Sequence, residues 1–345
     1  MRILVDINHP AHVHFFKYFI GECRKRGHEV LITALKKDIA LNLLDEYGFK
    51  YITMGSSGKS LAAKIAGIPV FDWRMLKVVL AFKPDIMTGL ASFRVSHTAW
   101  LTGRKSIIFD DTEHSTGEIM LYKPFASHIF TPDCFYKDLG AKQIRYPGYH
   151  ELAYLHPERF SPDPSILKSL GLTPDSVFSV VRFVSREAAH DKGHRGMDHD
   201  IKIRLIKELE NCGRVFISSE KELPADFEKY RLPVSPGQIH HLMAFASLVC
   251  GESATMASEA AVLGIHALFC DFNGRSYTDE EEKKYDLVYN FRLDRKSQEN
   301  FIKKAMELFR IPGLKEAGKR KREKLLCNKI DVTAYMIREI IECAA

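Results

Sequence analysis

No two cysteines of this chain form a C-x-x-C pair. Its seven cysteines, Cys23, Cys134, Cys212, Cys250, Cys270, Cys327 and Cys343, follow no regular spacing. That excludes a zinc ribbon, a dithiol redox centre and a disulfide framework, and it reads as reduced thiols of a cytosolic protein. No apolar run approaches the ~18 residues needed to cross a bilayer. The chain opens directly on the strand-like MRILVDI, which argues against a signal peptide. Tandem repeats and low-complexity segments are missing as well. No G-x-G-x-x-G follows the first strand, so the usual dinucleotide fingerprint is absent. The segment Gly55–Ser60 imitates a P-loop, but Thr53 stands where the first glycine of that motif must be. It reads instead as a flexible loop. Neither charge sign dominates. Fifty Lys and Arg against 44 Asp and Glu leave a net charge of +6, scattered along the chain. This suits an anionic nucleotide or an acidic membrane surface, establishes neither, and points to no nucleic-acid partner.

A length of 345 residues, with 46% hydrophobic and 27% charged residues, fits two soluble domains with full cores. Two series of β-α-β units support that division. One runs through 1–150, and residues 331–345 are expected to pack back on it. The other runs through 151–330, after a linker marked by Pro157, Pro162 and Pro164. The spacing predicts a first helix beginning at His12 or Val13, a short helix between Asp133 and Gly140, and a strand-like Leu232–Val234.

The most informative stretch is Leu248 to Phe269. An apolar run is followed by the loop Gly251-Glu252-Ser253-Ala254-Thr255, an Ala-rich helix closed by Gly264, and a second apolar run. Such a loop lies at the carboxyl edge of a parallel sheet, where ligands bind. The first turn of the helix offers unpaired N–H groups to a phosphate, with Ser253 and Thr255 as hydroxyl donors. Glu259, a turn further on, could accept two hydrogen bonds from a ribose. The plain alternative is an ordinary crossover with a polar cap.

Other candidates follow from position. His12 lies just after the first strand, where a neutral imidazole could act as a base or merely cap a helix; His9 and His14 read as a polar rim. Asp110-Asp111-Thr112-Glu113-His114 is the densest polar cluster of the first half and could supply a base. It lacks tight metal-ligand spacing. Arg182, Arg186 and His190 follow a strand in the second half and suit a diphosphate. Asn273, Arg275 and Tyr277 sit in the loop after the next strand. The run Lys319-Arg320-Lys321-Arg322 reads as a solvated helix face.

The pattern G-x-S-x-T-x-x-x-E-A-A-x-L-G over 251–264 resembles the nucleotide-sugar site of GT-B glycosyltransferases and of the non-hydrolysing UDP-N-acetylglucosamine 2-epimerase. H-P-A-H-V-H-F-F…R-K-R-G-H-E-V is similar to the opening of the lipid-linked N-acetylglucosaminyltransferase of peptidoglycan synthesis, although Pro-Ala replaces its Gly-Gly. Residues 110–117 resemble that family's H-E-Q-N-x-x-x-G segment in position and length, which makes Asp111 and Glu113 candidate contacts to an acceptor. The resemblance implies an α/β GT-B fold: two Rossmann-like parallel-sheet domains, an interdomain cleft, and a C-terminal helix crossing back to the first domain. It further implies a transferase using a UDP-sugar in cell-surface or lipid-linked polysaccharide assembly, without cofactor or metal, with peripheral attachment to the inner face of the membrane. Glu259 would hold the ribose, the 251–255 loop the diphosphate, and Asn273, Arg275 and Tyr277 the donor sugar. An epimerase and a non-catalytic nucleotide-binding protein are the alternatives.

Overall fold

The structure, a computed structural model, describes all residues except Lys37, Lys59, 185–195, Glu220, Lys221 and Ala345. In chain order the elements begin β1 (Arg2–Ile7), α1 (Pro10–Lys25), β2 (Glu29–Ala34), α2 (Asp38–Glu46), β3 (Tyr51–Thr53), α3 (Leu61–Phe82) and β4 (Ile86–Leu90). They continue with α4 (Phe93–Leu101), β5 (Lys105–Phe109), α5 (Thr116–Tyr122), β6 (His128–Pro132), β7 (Gln143–Tyr146) and α6 (Leu152–Leu155). Then follow α7 (Ser165–Ser169), β8 (Phe178–Arg182), α8 (His199–Cys212), β9 (Arg214–Ser218), α9 (Ile239–Met243), β10 (Leu248–Gly251) and α10 (Ala254–Leu263). The last are β11 (Ala267–Cys270), α11 (Ser276–Lys283), β12 (Val288–Phe291), α12 (Arg295–Phe309), α13 (Leu314–Asn328) and α14 (Val332–Ala344).

Two compact units result: Met1–Arg159 with Ile330–Ala345, and Phe160–Lys329. The first unit is a seven-stranded parallel sheet in the order β3-β2-β1-β4-β5-β6-β7. Its strands are apolar along nearly their whole length, as strands buried on both faces must be. On one face α3, α4 and α5 cover Leu4, Met87 and Ile108 with Phe71, Met75, Val79, Val95 and Ile119. His97 ties this layer together. Its ring meets Asp72 of α3 and the Leu121 carbonyl of α5, each at 2.9 Å. On the other face Phe15 of α1 and Tyr335 of α14 pack edge-to-face against Phe109 and Phe130, respectively.

The second unit is a five-stranded parallel sheet in the order β12-β11-β10-β8-β9. Ile201, Leu205 and Leu209 of α8 and Phe301, Ala305 and Leu308 of α12 join its core with Leu248, Cys250 and Leu268. The basic run of α13 is more than a wetted face: Arg322 Nε donates to the Val262 carbonyl at 2.7 Å, and Lys321 pairs with Asp286 at 2.5 Å.

Local expectations fail at three places. The first helix starts at Pro10, with His9 as its cap, because proline is preset for a first helical turn. Residues 133–140 form turns, not a helix. Residues 232–234 form no strand; one bridge from Arg231 to Ile217 is all that pairs there.

Gly251 is fixed by crowding. Its φ is +144°, and a Cβ there would stand 2.0 Å from the Arg182 carbonyl oxygen on the neighbouring strand. Gly251→Ala is therefore expected to destabilise the fold by at least ~2 kcal/mol. Urea unfolding checks this, and an unchanged midpoint would refute the crowding.

Candidate functional site

In each sheet the strand order reverses once, and ligands of open α/β sheets bind at the carboxyl ends of the strands beside that reversal. In the first unit it falls between β1 and β4, in the second between β10 and β8.

Beneath the first reversal lies a buried ion pair. Asp6, with no exposed surface, accepts from Arg94 at 2.7 Å, from Ser92 Oγ at 2.5 Å and from Thr33 Oγ1 at 2.8 Å. Arg94 is 2% exposed and also donates to the side-chain oxygen of Asn8. Ala91, beside it, takes the left-handed backbone that non-glycine residues avoid (φ +43°). His12 is half-buried in the first turn of α1, and its Nδ1 accepts the Asn8 N–H at 3.2 Å. His9 caps the helix by accepting from the Ala11 N–H. His14 is no rim residue: it is buried against Tyr154 and meets the Tyr47 hydroxyl at 3.2 Å.

One strand along, the loop after β5 collects buried acids. Asp110 accepts from the Tyr122 hydroxyl at 2.5 Å and the Thr112 N–H at 2.9 Å. Burial raises its pKa to about 7, and the hydrogen bonds from Tyr122 and Thr112 only partly oppose this. Asp111 meets His150 Nδ1 at 2.9 Å, and Phe15 packs 4.6 Å from the imidazole. Burial disfavours a charge on His150, but the Asp111 carboxylate outweighs it, and the pKa stands above the ordinary value. Glu113 is buried, 1% exposed.

At the second reversal Ser253 caps α10, its hydroxyl accepting the Met256 N–H at 3.3 Å, and Gly264 ends the helix in the left-handed conformation. Thr255 is half-buried on the first turn. Arg182, across the reversal, donates to Ser218 Oγ at 3.3 Å. Glu252 is wholly buried and accepts from the Val184 and Met197 N–H groups and from Lys202. It thereby fastens both flanks of the 185–195 segment to the loop before α10. Arg186 and His190 lie outside the described residues. Glu259 is 4% exposed and hydrogen-bonded to His240 Nε2 at 2.8 Å. Removing its carboxylate would strip a buried partner from His240, so Glu259 supports packing. In the loop after β11, Asn273 is exposed and Arg275 folds back on the Asn273 and Gly274 carbonyls; Tyr277, expected in that loop, stands instead in the first turn of α11 with its ring buried.

Thus Gly251, Ser253 and Thr255 stand together on one loop and helix start, with Arg182 on the adjoining strand. His12, Asp111 and Glu113 belong to two loops of the other unit. Sequence reading gave no role to Asp6, Arg94, His150 or Glu252. The buried acid Asp6 at the end of an apolar strand was the one local signal, because a buried charge requires a partner.

The chain belongs to the family described as "Protein of unknown function (DUF354)", whose model matches residues 1–304. It is 24% identical over 283 residues to an uncharacterized protein of Methanocaldococcus jannaschii, covering 78% of this chain and 82% of that one. Over 109 residues it is 33% identical to the UDP-N-acetylglucosamine–N-acetylmuramyl-(pentapeptide) pyrophosphoryl-undecaprenol N-acetylglucosamine transferase of Elusimicrobium minutum, a match spanning 28% of this chain and 30% of the transferase. The fold is that of UDP-GlcNAc 2-epimerase from Neisseria meningitidis, solved bound to UDP-GlcNAc: TM-score 0.69, 14% identity, 99% of this chain and 100% of that one. The spinosyn forosaminyltransferase matches likewise, at TM-score 0.68, 12% identity, 100% and 99%. These structural likenesses show the two-domain parallel α/β architecture of the GT-B fold.

Folded, Asp110 keeps its proton up to about pH 7, whereas an unfolded aspartate releases it near 3.8. The native state binds more protons across that window, so stability falls as pH rises through it. Asp110→Asn removes this dependence. The variant's stability relative to wild type should rise between about pH 4 and pH 7 by up to ~1.4 kcal/mol per unit. Thermal melts over that range check it, and a pH-independent difference would show that Asp110 is ionised in the fold.

Proposed function

We propose that the protein transfers a sugar from a nucleotide sugar, most simply a UDP-sugar, to an acceptor hydroxyl. The observation that supports this best is the start of α10, set at the strand-order reversal with Ser253, Thr255 and Arg182 around it. Free N–H groups, a positive dipole end and a guanidinium are what a departing diphosphate needs. Glu259 suits the ribose, and Asn273 and Arg275 suit the sugar, with Tyr277 holding their loop. No cofactor enters this reading, because the nucleotide sugar is itself the substrate. In the other unit, His12, Asp111 and Glu113 serve the acceptor. Asp111, backed by His150, is the best-supported base among them. A sugar-nucleotide 2-epimerase is the second reading. The observation favouring it is the number of buried acid–base groups around Asp110, Asp111, Glu113 and His150.

The acceptor reading includes a lipid surface. No described helix is long and apolar enough to cross a membrane. Yet the outer face of the α3–α5 layer exposes Leu61, Ile65, Trp73, Leu80, Trp100 and Met120, with Trp73 at 57% and Trp100 at 64%. Along α3 the basic residues Lys64, Arg74 and Lys77 outnumber Asp72, which His97 already holds. An apolar face with tryptophans and a cationic flank suits the interface of an anionic bilayer. On this reading a lipid-linked acceptor would be met at the cytoplasmic side of such a membrane.

Two experiments test these readings. Thr255→Val and Glu259→Gln, which keeps a hydrogen bond to His240, should each weaken UDP binding in calorimetry roughly ten- to a hundredfold. Unchanged affinity in both would move the nucleotide elsewhere. Turnover of UDP-N-acetylglucosamine without an acceptor would favour the epimerase. For the lipid face, Trp73→Ser with Leu80→Ser should abolish co-sedimentation with vesicles containing anionic lipid. Retained binding would refute that role for α3, and a loss of dimer instead would assign the face to a second copy.

A further inference from the structure

A continuous line of hydrogen bonds joins the buried ion pair of the first unit to His12. Asp6 is gripped by Thr33 and Ser92 and holds Arg94. The Arg94 guanidinium is packed over the Phe71 and Phe93 rings, at 5.6 and 5.7 Å. The same Nη2 that binds Asp6 also donates to Asn8 Oδ1. Asn8, oriented at its side chain, donates its backbone N–H to Nδ1 of His12 at 3.2 Å.

A ring nitrogen that accepts an N–H must carry no proton of its own. The neutral His12 ring therefore bears its proton on Nε2. We infer that Asn8 and Arg94 are positioning residues that fix His12 in its Nε2–H form, so that what it offers a substrate is a hydrogen-bond donor and not a proton acceptor. This rests on the reading of His12 as a residue that acts on substrate, and it deepens that reading by naming what it can and cannot do. A base needs a bare nitrogen facing the reacting hydroxyl, and here the bare nitrogen is spent on the backbone. A donor held through the buried Asp6–Arg94 pair needs no reorganisation when it meets developing charge. The proton acceptor for the acceptor hydroxyl must then lie elsewhere, and the Asp111–His150 pair meets that need.

The first test needs no substrate. Histidines are labelled with ¹⁵N, long-range ¹H–¹⁵N spectra are recorded, and His12 is assigned by the signals lost in His12→Gln. His12 is expected as the pure Nε2–H form, with the Asn8 amide slow to exchange. Arg94→Lys keeps the charge opposite Asp6 but not the reach to Asn8, and Asn8→Ala removes the acceptor. Each should speed exchange of the residue 8 backbone amide about tenfold or more and let the ring proton move between nitrogens. A protonated Nδ1 in the wild type, or spectra and exchange unchanged in both variants, would overturn the inference. The second test uses turnover. Glutamine can donate from about the Nε2 position but cannot act as a base, so His12→Gln should keep a substantial part of the activity that His12→Ala loses. Equal loss in both would overturn the donor role. If no nucleotide sugar turns over at all, the transferase reading fails, while the spectra still decide the geometry at His12.

Discussion

Everything that can do chemistry here is placed by one constraint: strands within each sheet all run the same way. Parallel pairing forces every connection to cross over a face, so each strand delivers its following loop to the same edge. Loops far apart in sequence are thereby gathered without any attraction between them. Where the order reverses, neighbouring loops diverge to opposite faces and leave a gap. In the first unit that gap is underpinned by Asp6 and Arg94, whose charges are nearly free of water. Such a pair contributes little net stability but is costly to break on one side. It holds the loops after β1 and β4 in a single arrangement.

The second unit solves a similar problem with carboxylates. Glu252 takes two backbone N–H groups from different segments as well as a lysine, and Glu259 takes an imidazole. Both are buried acids within one short stretch, and both are satisfied by groups brought in by the fold. The start of α10 is thus braced from beneath, and its outward N–H groups keep a fixed direction.

The sequence made the scaffold legible where its signals are local. Apolar runs marked the strands, Ser253 and Gly264 marked the two ends of α10, and the charged loops fell after strands as expected. Residues 232–234 and 133–140 misled because a three-residue run and a turn-rich stretch carry too little periodicity to decide. Within the candidate site, the loop residues could be named from position, but their partners could not. Asp6 and Arg94 are 88 residues apart, and Glu252 and Met197 are 55 apart. No spacing rule connects such pairs; only the packed sheet does. Tyr277 shows the converse: it sits in a very polar helix, α11, yet its ring is buried.

The return of Ile330–Ala345 to the first unit has a kinetic consequence. Ile330 donates to the Pro147 carbonyl, Asp331 pairs with Arg159, Thr333 Oγ1 donates to the Ala153 carbonyl, and a Cβ on Gly148 would stand 2.7 Å from Val332. The first unit is therefore discontinuous, and the second is an insertion within it. During synthesis the second unit can close as soon as its own residues have emerged. The first must wait, with the β5–β7 side of its sheet uncovered, until the last helix leaves the ribosome. The order of folding is thus reversed relative to the order of translation. Closing that contact brings together residues separated by about 170 positions, an entropic cost that grows only slowly with loop length and that the folded insertion has already reduced.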